Sequence, residues 1–153
     1  MTLWTQIDSN KRKTWVLMTT FLILFVLLGW LFSYIFKSRW ILIIAVMIAT
    51  TQAFLSYWYS DKIILKTMRA KEISKKDAPE LYRIVENLSI TAGLPMPKVY
   101  IIEARQPNAF ATGRDPHHSA IVVTRGLLDL LEDEELEGVI AHEMAHIGNR
   151  DIL

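Results

Sequence analysis

Cysteine is absent from all 153 residues, which excludes a disulfide framework, a thiolate nucleophile and any sulfur ligand of the zinc-finger kind. Charge is absent from two long stretches, the 23 residues Thr14–Phe36 and the 21 residues Trp40–Ser60. Histidine is missing before His117 and tryptophan after Trp58. No internal repeat or low-complexity segment breaks the chain. The net charge of +1 says little, because it hides strong local bias, and nothing in it points to nucleic acid. These gaps divide the chain into a lipid-compatible part and a part that carries chemistry.

A helix rises about 1.5 Å per residue, so roughly 20 apolar residues cross a hydrocarbon core of about 30 Å. Both uncharged stretches are that long. Trp15, Tyr34, Phe36, Trp40, Tyr57, Trp58 and Tyr59 gather at their ends, the depth that amphipathic rings favour. Only Lys37, Ser38 and Arg39 separate them, so a tight helical hairpin over residues 14–60 is expected. The first stretch is too long for the apolar core of a cleaved signal peptide and is followed at once by a second span. Lys11, Arg12 and Lys13 precede the hairpin; Lys62, Lys66, Arg69, Lys71, Lys75 and Lys76 follow it. By the positive-inside rule residues 1–13 and everything after residue 60 face the cytoplasm. The basic segment 61–76 reads as the second span running on into water, in preference to a helix lying on anionic headgroups.

From residue 77 the composition is that of a folded domain. Asp77, Pro79 and Glu80 read as the start of a helix with a capping box, Leu81, Ile84, Val85 and Leu88 as its apolar stripe, and Gly93 as its end. Val99–Ile102 reads as a strand. Asn108–Thr112 and Ala120–Thr124 read as two more, joined by a turn-rich connection into a hairpin. Glu132-Asp-Glu-Glu opens the last helix, where acidic side chains suit the positive end of the helix dipole.

That helix carries His142-Glu143-Met144-Ala145-His146. Residues i and i+4 share a face, so two imidazoles can converge on one metal ion while Glu143, one position along, reaches the water to be activated. Leu136, Val139 and Ile140 keep the segment helical and half-buried, which favours a zinc site over two chance surface histidines. Gly138, one turn before His142, has either a packing or a substrate-approach reason, or is merely tolerated. Two ligands leave a catalytic zinc one protein ligand short. Ile152 stands where a metzincin spacing would place the third. His117 and His118 lie in the hairpin turn, where a solvated tip is the simpler role.

The chain resembles the HtpX-like membrane metallopeptidases, relatives of the CAAX prenyl endopeptidases. The resemblance is carried by the two leading spans, Gly93-Leu-Pro-Met-Pro97, Asn108-Ala-Phe-Ala-Thr-Gly113 and His142-Glu-Met-Ala-His-Ile-Gly-Asn-Arg-Asp151. It implies an α+β fold in which two transmembrane helices precede part of a zincin-type domain, residues 77–153, with a small β-sheet and the H-E-x-x-H helix. It implies one zinc ion per chain on His142 and His146, Glu143 as base, and endopeptidase action on damaged membrane proteins in quality control. Asn108, Ala109, Phe110 and Ala111 would wall the substrate cleft, and Asp151 would orient a ligating imidazole. The third ligand would be a glutamate on a later helix, beyond Leu153, so residues 1–153 look truncated and are expected not to hydrolyse peptides alone. A substrate strand could pair with Asn108–Thr112 through its backbone.

Two other classes of function compete: a non-catalytic membrane protein with a vestigial metal site, and a membrane-surface adaptor using segment 62–76. The orientation is tested directly, because the chain has no cysteine of its own. In intact cells a membrane-impermeant thiol reagent should modify a cysteine placed at Ser38 and should not reach one placed at Ser89. Labelling of the latter would put the domain outside.

Overall fold

The computed structural model describes residues 3–152, and the chain divides into two compact units, residues 1–59 and 60–153. The architecture is α+β: two long helices, α1 (Leu3–Ile35) and α2 (Arg39–Thr67), precede a four-stranded mixed sheet flanked by helices.

In the first unit α1 and α2 form a hairpin whose turn puts Lys37 at φ 52°, and the Ser33 hydroxyl closes it on the Ser38 carbonyl at 2.9 Å. Small residues let the helices approach. Gly29 and Ala49 are buried, and a Cβ added at Gly29 would stand 2.5 Å from that of Ala45. Most large apolar side chains of both helices are exposed, Trp30 and Trp40 among them. Ile7–Ile35 and Arg39–Thr67 are long and apolar enough to cross a membrane.

In the second unit the order is β1 (Lys71–Glu72), α3 (Pro79–Ala92), β2 (Lys98–Ile102), β3 (Ala109–Asp115), β4 (His118–Thr124), α4 (Arg125–Leu130) and α5 (Asp133–Asn149). The sheet order is β1-β2-β4-β3, with β2 and β4 parallel and the other pairs antiparallel. Alternation along the strands feeds two cores. Val99, Ile101, Ile121 and Val123 face α3 and α5, meeting Leu81, Ile84 and Val85 from the first and Leu136, Ile140, Met144 and Ile147 from the second. Ile102, Ala120 and Val122 form the other face, closed by Leu65 near the end of α2 with Tyr100 and Phe110 beside it. The central strand β4 is buried on both faces, which explains its unbroken run Ala-Ile-Val-Val.

Three details differ from the sequence reading. Asp77 does not cap α3. Its carboxylate accepts the backbone N–H of Ser74 at 2.7 Å and the Ser74 hydroxyl at 2.6 Å, tightening the turn ahead of the helix, while Pro79 at the first position lacks an N–H to satisfy. The reciprocal cap sits on α5 instead, where the Glu135 carboxylate accepts the N–H of Glu132 at 3.2 Å. The hairpin strands run on through the expected loop, leaving only Pro116 and His117 between them. Gly113 makes this possible: at φ 145° it marks the register irregularity of β3, and a Cβ there would lie 2.2 Å from the His118 carbonyl oxygen. The end of α3 is as expected, with Gly93 left-handed at φ 64°. Ser89 is buried on α3 whereas Thr91 is exposed, so Thr91→Cys is the suitable domain reporter for the labelling experiment.

Gly126 and Gly138 give a paired test of packing. A Cβ on Gly126 would lie 2.0 Å from the Arg105 carbonyl oxygen, and its N–H donates to the Ala104 carbonyl at 2.9 Å. Around Gly138 nothing lies within 4 Å. Gly126→Ala should therefore cost about 1–3 kcal/mol through overpacking against backbone. Gly138→Ala should stabilise by up to about 1 kcal/mol, the usual glycine deficit in a helix. Thermal unfolding in detergent should show the two midpoints moving in opposite directions.

Candidate active site

Four buried side chains, Leu136, Ile140, Met144 and Ile147, press α5 against the sheet. Their three- and four-residue spacing fixes the rotation of the helix and leaves His142, Glu143 and His146 off the core face. His142 is exposed and the other two are half-buried. The Nε2 atoms of His142 and His146 are 3.3 Å apart, with the rings nearly perpendicular at 87°. Two ligands at about 2.05 Å from one tetrahedral ion are themselves about 3.3 Å apart. The two imidazoles are thus already spaced to share such an ion.

α5 ends just beyond, where Arg150 turns left-handed at φ 56° and its N–H returns to the last turn. That reversal carries Asp151 back alongside the helix, and its carboxylate meets Nδ1 of His146 at 3.0 Å. A carboxylate can only accept, so Nδ1 is the donor of this pair, and in the neutral ring that leaves Nε2 as the nitrogen with a free lone pair. Ile152 continues inward to the core and takes no part.

Glu143 is tied to the sheet. The backbone N–H of Ala111, on β3, donates to Glu143 Oε2 at 3.0 Å. β3 is the edge strand, bonded to β4 on one side only. Asn108, just ahead of it, turns its backbone towards β4: its N–H donates to the Thr124 hydroxyl at 2.8 Å, and its carbonyl accepts the Thr124 N–H at 2.9 Å. Backbone groups alternate in direction along a strand, so Ala109 and Ala111 present theirs at the open edge. Their side chains pack against the core beneath α5, whereas Phe110 belongs to the cluster on the other face of the sheet. The structure therefore brings Ala109, Ala111, Glu143, His142, His146 and Asp151 to one locality, and turns the ring of Phe110 away from it.

The hairpin histidines do something else. His118 Nδ1 lies 2.9 Å from Asp115 Oδ1, and that carboxylate also accepts the backbone N–H groups of His117 and His118 at 2.8 and 3.0 Å. Partial burial works against ionisation of Asp115, but the His118 ring and the two N–H groups outweigh it and hold the carboxyl below its ordinary range. Among the described residues no group of three or more His, Cys, Asp or Glu side chains is placed to hold a metal. The donors present fit two positions of a zinc site.

The model of peptidase family M48 matches residues 75–153. The chain belongs to peptidase family M48. This M48 member is 51% identical over 145 residues to a protease HtpX homolog of Desulfatibacillum aliphaticivorans, covering 95% of the present chain and 46% of the relative. It is 52% identical over 141 residues to one from Campylobacter curvus, covering 92% and 48%. To one from Aquifex aeolicus it is 54% identical over 112 residues, covering 73% and 37%. The chain spans about half the length, or less, of these curated relatives.

Sequence reading missed the bond from Ala111 to Glu143, because nothing local signals a contact between residues 32 positions apart. The bond from His146 to Asp151 leads to a measurement. On the zinc reading, Asp151→Ala in the full-length protein should free the ring and weaken zinc binding by about 10- to 100-fold, the usual effect of removing a carboxylate behind a ligating histidine. Competition against a chromophoric chelator reads this directly, and an unchanged affinity would show that the ring is oriented without Asp151.

Proposed function

We propose that this chain is the membrane-anchored part of a zinc-dependent endopeptidase that degrades damaged or misfolded membrane proteins, with its active site on the cytoplasmic side. The observation that carries the reading is the 3.3 Å separation of the His142 and His146 Nε2 atoms on the helix that also bears Glu143. His142 and His146 would hold one zinc ion. The third ligand, by the family resemblance, is a glutamate beyond residue 153. The two helices would cross the bilayer as a hairpin, and the bias of lysine and arginine towards its flanks supports a cytoplasmic position for both of its ends.

Bound there, zinc supplies Lewis-acid polarisation of the scissile carbonyl and makes the attacking water more acidic. The chain's own residues do the rest. The Ala111 N–H pins Oε2 of Glu143, so the second carboxylate oxygen is the one that takes the proton from the water as its oxygen attacks the carbonyl carbon. The same carboxyl then delivers that proton to the leaving amine as the C–N bond breaks. Asp151 holds the His146 ring in place. An unfolded segment of substrate lies along the edge of β3, bonding to the backbone of Ala109 and to the Ala111 carbonyl, with Asn108 anchoring the start of that edge to β4.

In the full-length protein, Glu143→Gln should keep its zinc and lose casein cleavage by about 10²- to 10⁴-fold, the range for general acid–base catalysis. His142→Ala should lose zinc and cleavage together. Full turnover by Glu143→Gln would remove the carboxylate from the mechanism.

A further inference from the structure

The end of α5 is closed in a way that brings its cap into the site. Arg150 is left-handed at φ 56°. Its N–H donates to the Ile147 carbonyl at 3.2 Å, and the Asp151 N–H donates to the His146 carbonyl at 3.3 Å. That pair of bonds is the Schellman arrangement, which sets the residue after the left-handed position beside the one five places before it. An apolar contact between those two frequently holds the arrangement shut. Here the two are Asp151 and His146, joined by the 3.0 Å bond from Nδ1 to the carboxylate. Their side chains are 34% and 41% exposed, and an exposed polar pair does little to hold a backbone in place. The left-handed position is filled by arginine, whose Cβ disfavours it, where glycine would adopt it freely. Neither the cap residue nor the polar pair accounts for the reversal.

The next residue does. Ile152 makes none of the polar contacts of the site, but its side chain is only 9% exposed and joins the core cluster of Leu81, Ile84, Val85 and Ile147. We propose that Ile152 is a positioning residue of the metal site: its burial latches the chain beyond α5 and, through that latch, sets Asp151 against His146. The proposal rests on the role of His146 as a zinc ligand. Ile152 is buried and Asp151 exposed, so the two consecutive side chains leave the backbone on different sides, and holding one in the core holds the other at the imidazole. Burying an isoleucine is worth more than an exposed polar pair, so the apolar residue decides and the carboxylate follows. Without the latch Arg150 can leave its unfavourable conformation and the carboxylate can leave Nδ1. The ring is then free to swing and to carry its proton on Nε2, the nitrogen that faces the His142 ring at 3.3 Å.

Full-length protein in detergent is measured in two ways. Competition for zinc against a chromophoric chelator reads the loaded site. Nitrogen chemical shifts of the His146 ring in isotopically labelled, metal-free protein, assigned by their loss in His146→Asn, show which nitrogen of the neutral ring carries the proton. Ile152→Ala should weaken zinc binding towards the limit of about 10- to 100-fold set by loss of the carboxylate itself, and should move the ring from the Nδ1–H form to a mixture. Ile152→Val should preserve both. Asp151→Ala added to Ile152→Ala should cost less than about 2-fold more, because residues that act through one contact are not additive. Val85→Ala, buried in the same core but on α3, should lower the unfolding midpoint and leave zinc affinity alone. If Ile152→Ala does not fold, Ile152→Thr, which keeps the branched Cβ, stands in for it. The proposal is overturned if Ile152→Ala binds zinc like the parent, if Asp151→Ala costs its full amount in that background, or if Val85→Ala weakens zinc equally. A parent that holds no zinc would sink the metal reading alone. The latch is then judged on the metal-free ring: loss of the Nδ1–H form in Ile152→Ala supports it, and an unchanged ring overturns it.

Discussion

Everything in the site depends on how α5 is rotated about its own axis. Leu136, Ile140, Met144 and Ile147 are each nearly inaccessible to solvent and fit between α3 and the sheet, so the helix cannot turn without exposing them. Burial of side chains of this size is worth about 1.5–3 kcal/mol each, so the four together outweigh any single polar contact in the site. That apolar constraint decides where His142, Glu143 and His146 point. The polar contacts then refine it, one to the neighbouring strand and one to the chain just beyond the helix. The geometry for chemistry is thus set mainly by residues that never touch the chemistry.

The fold was readable in sequence wherever one face or one turn decided the matter. The two uncharged stretches, the end of α3 at Gly93 and the apolar run of β4 all announce themselves locally. What was hidden is non-local or atypical. β1 is two charged residues long and exposed, with no apolar alternation to mark it. The order β1-β2-β4-β3 places parallel strands side by side with a third strand between them in sequence, and no local pattern encodes that. The hairpin connection looked like a loop because Gly, Asp and Pro are turn residues, yet Gly113 serves there to let two backbones touch. Asp77 looked like a cap until a nearer partner, Ser74, took its carboxylate.

The site shows the same division. His142 and His146 are read from four-residue spacing, and Asp151 lies close enough in sequence for a helix end to bring it round. The anchor of Glu143 comes from another layer of the domain and carries no side chain at all, since the donor is a main-chain N–H. No pattern of residue types can reveal a partner of that kind.

The open edge of β3 has a consequence for discrimination. Ala109 and Ala111 turn their methyl groups to the core and leave main-chain polar groups at that edge, so there is almost nothing there to distinguish one amino-acid sequence from another. Such an edge is sensitive to a different property, whether the N–H and C=O groups of a passing segment are still free. A segment inside a helix or sheet has committed them and cannot answer; the same segment, once unravelled, can. On the function proposed, the quantity this surface measures in its targets is conformational stability, and the identity of the target is set by what has come undone.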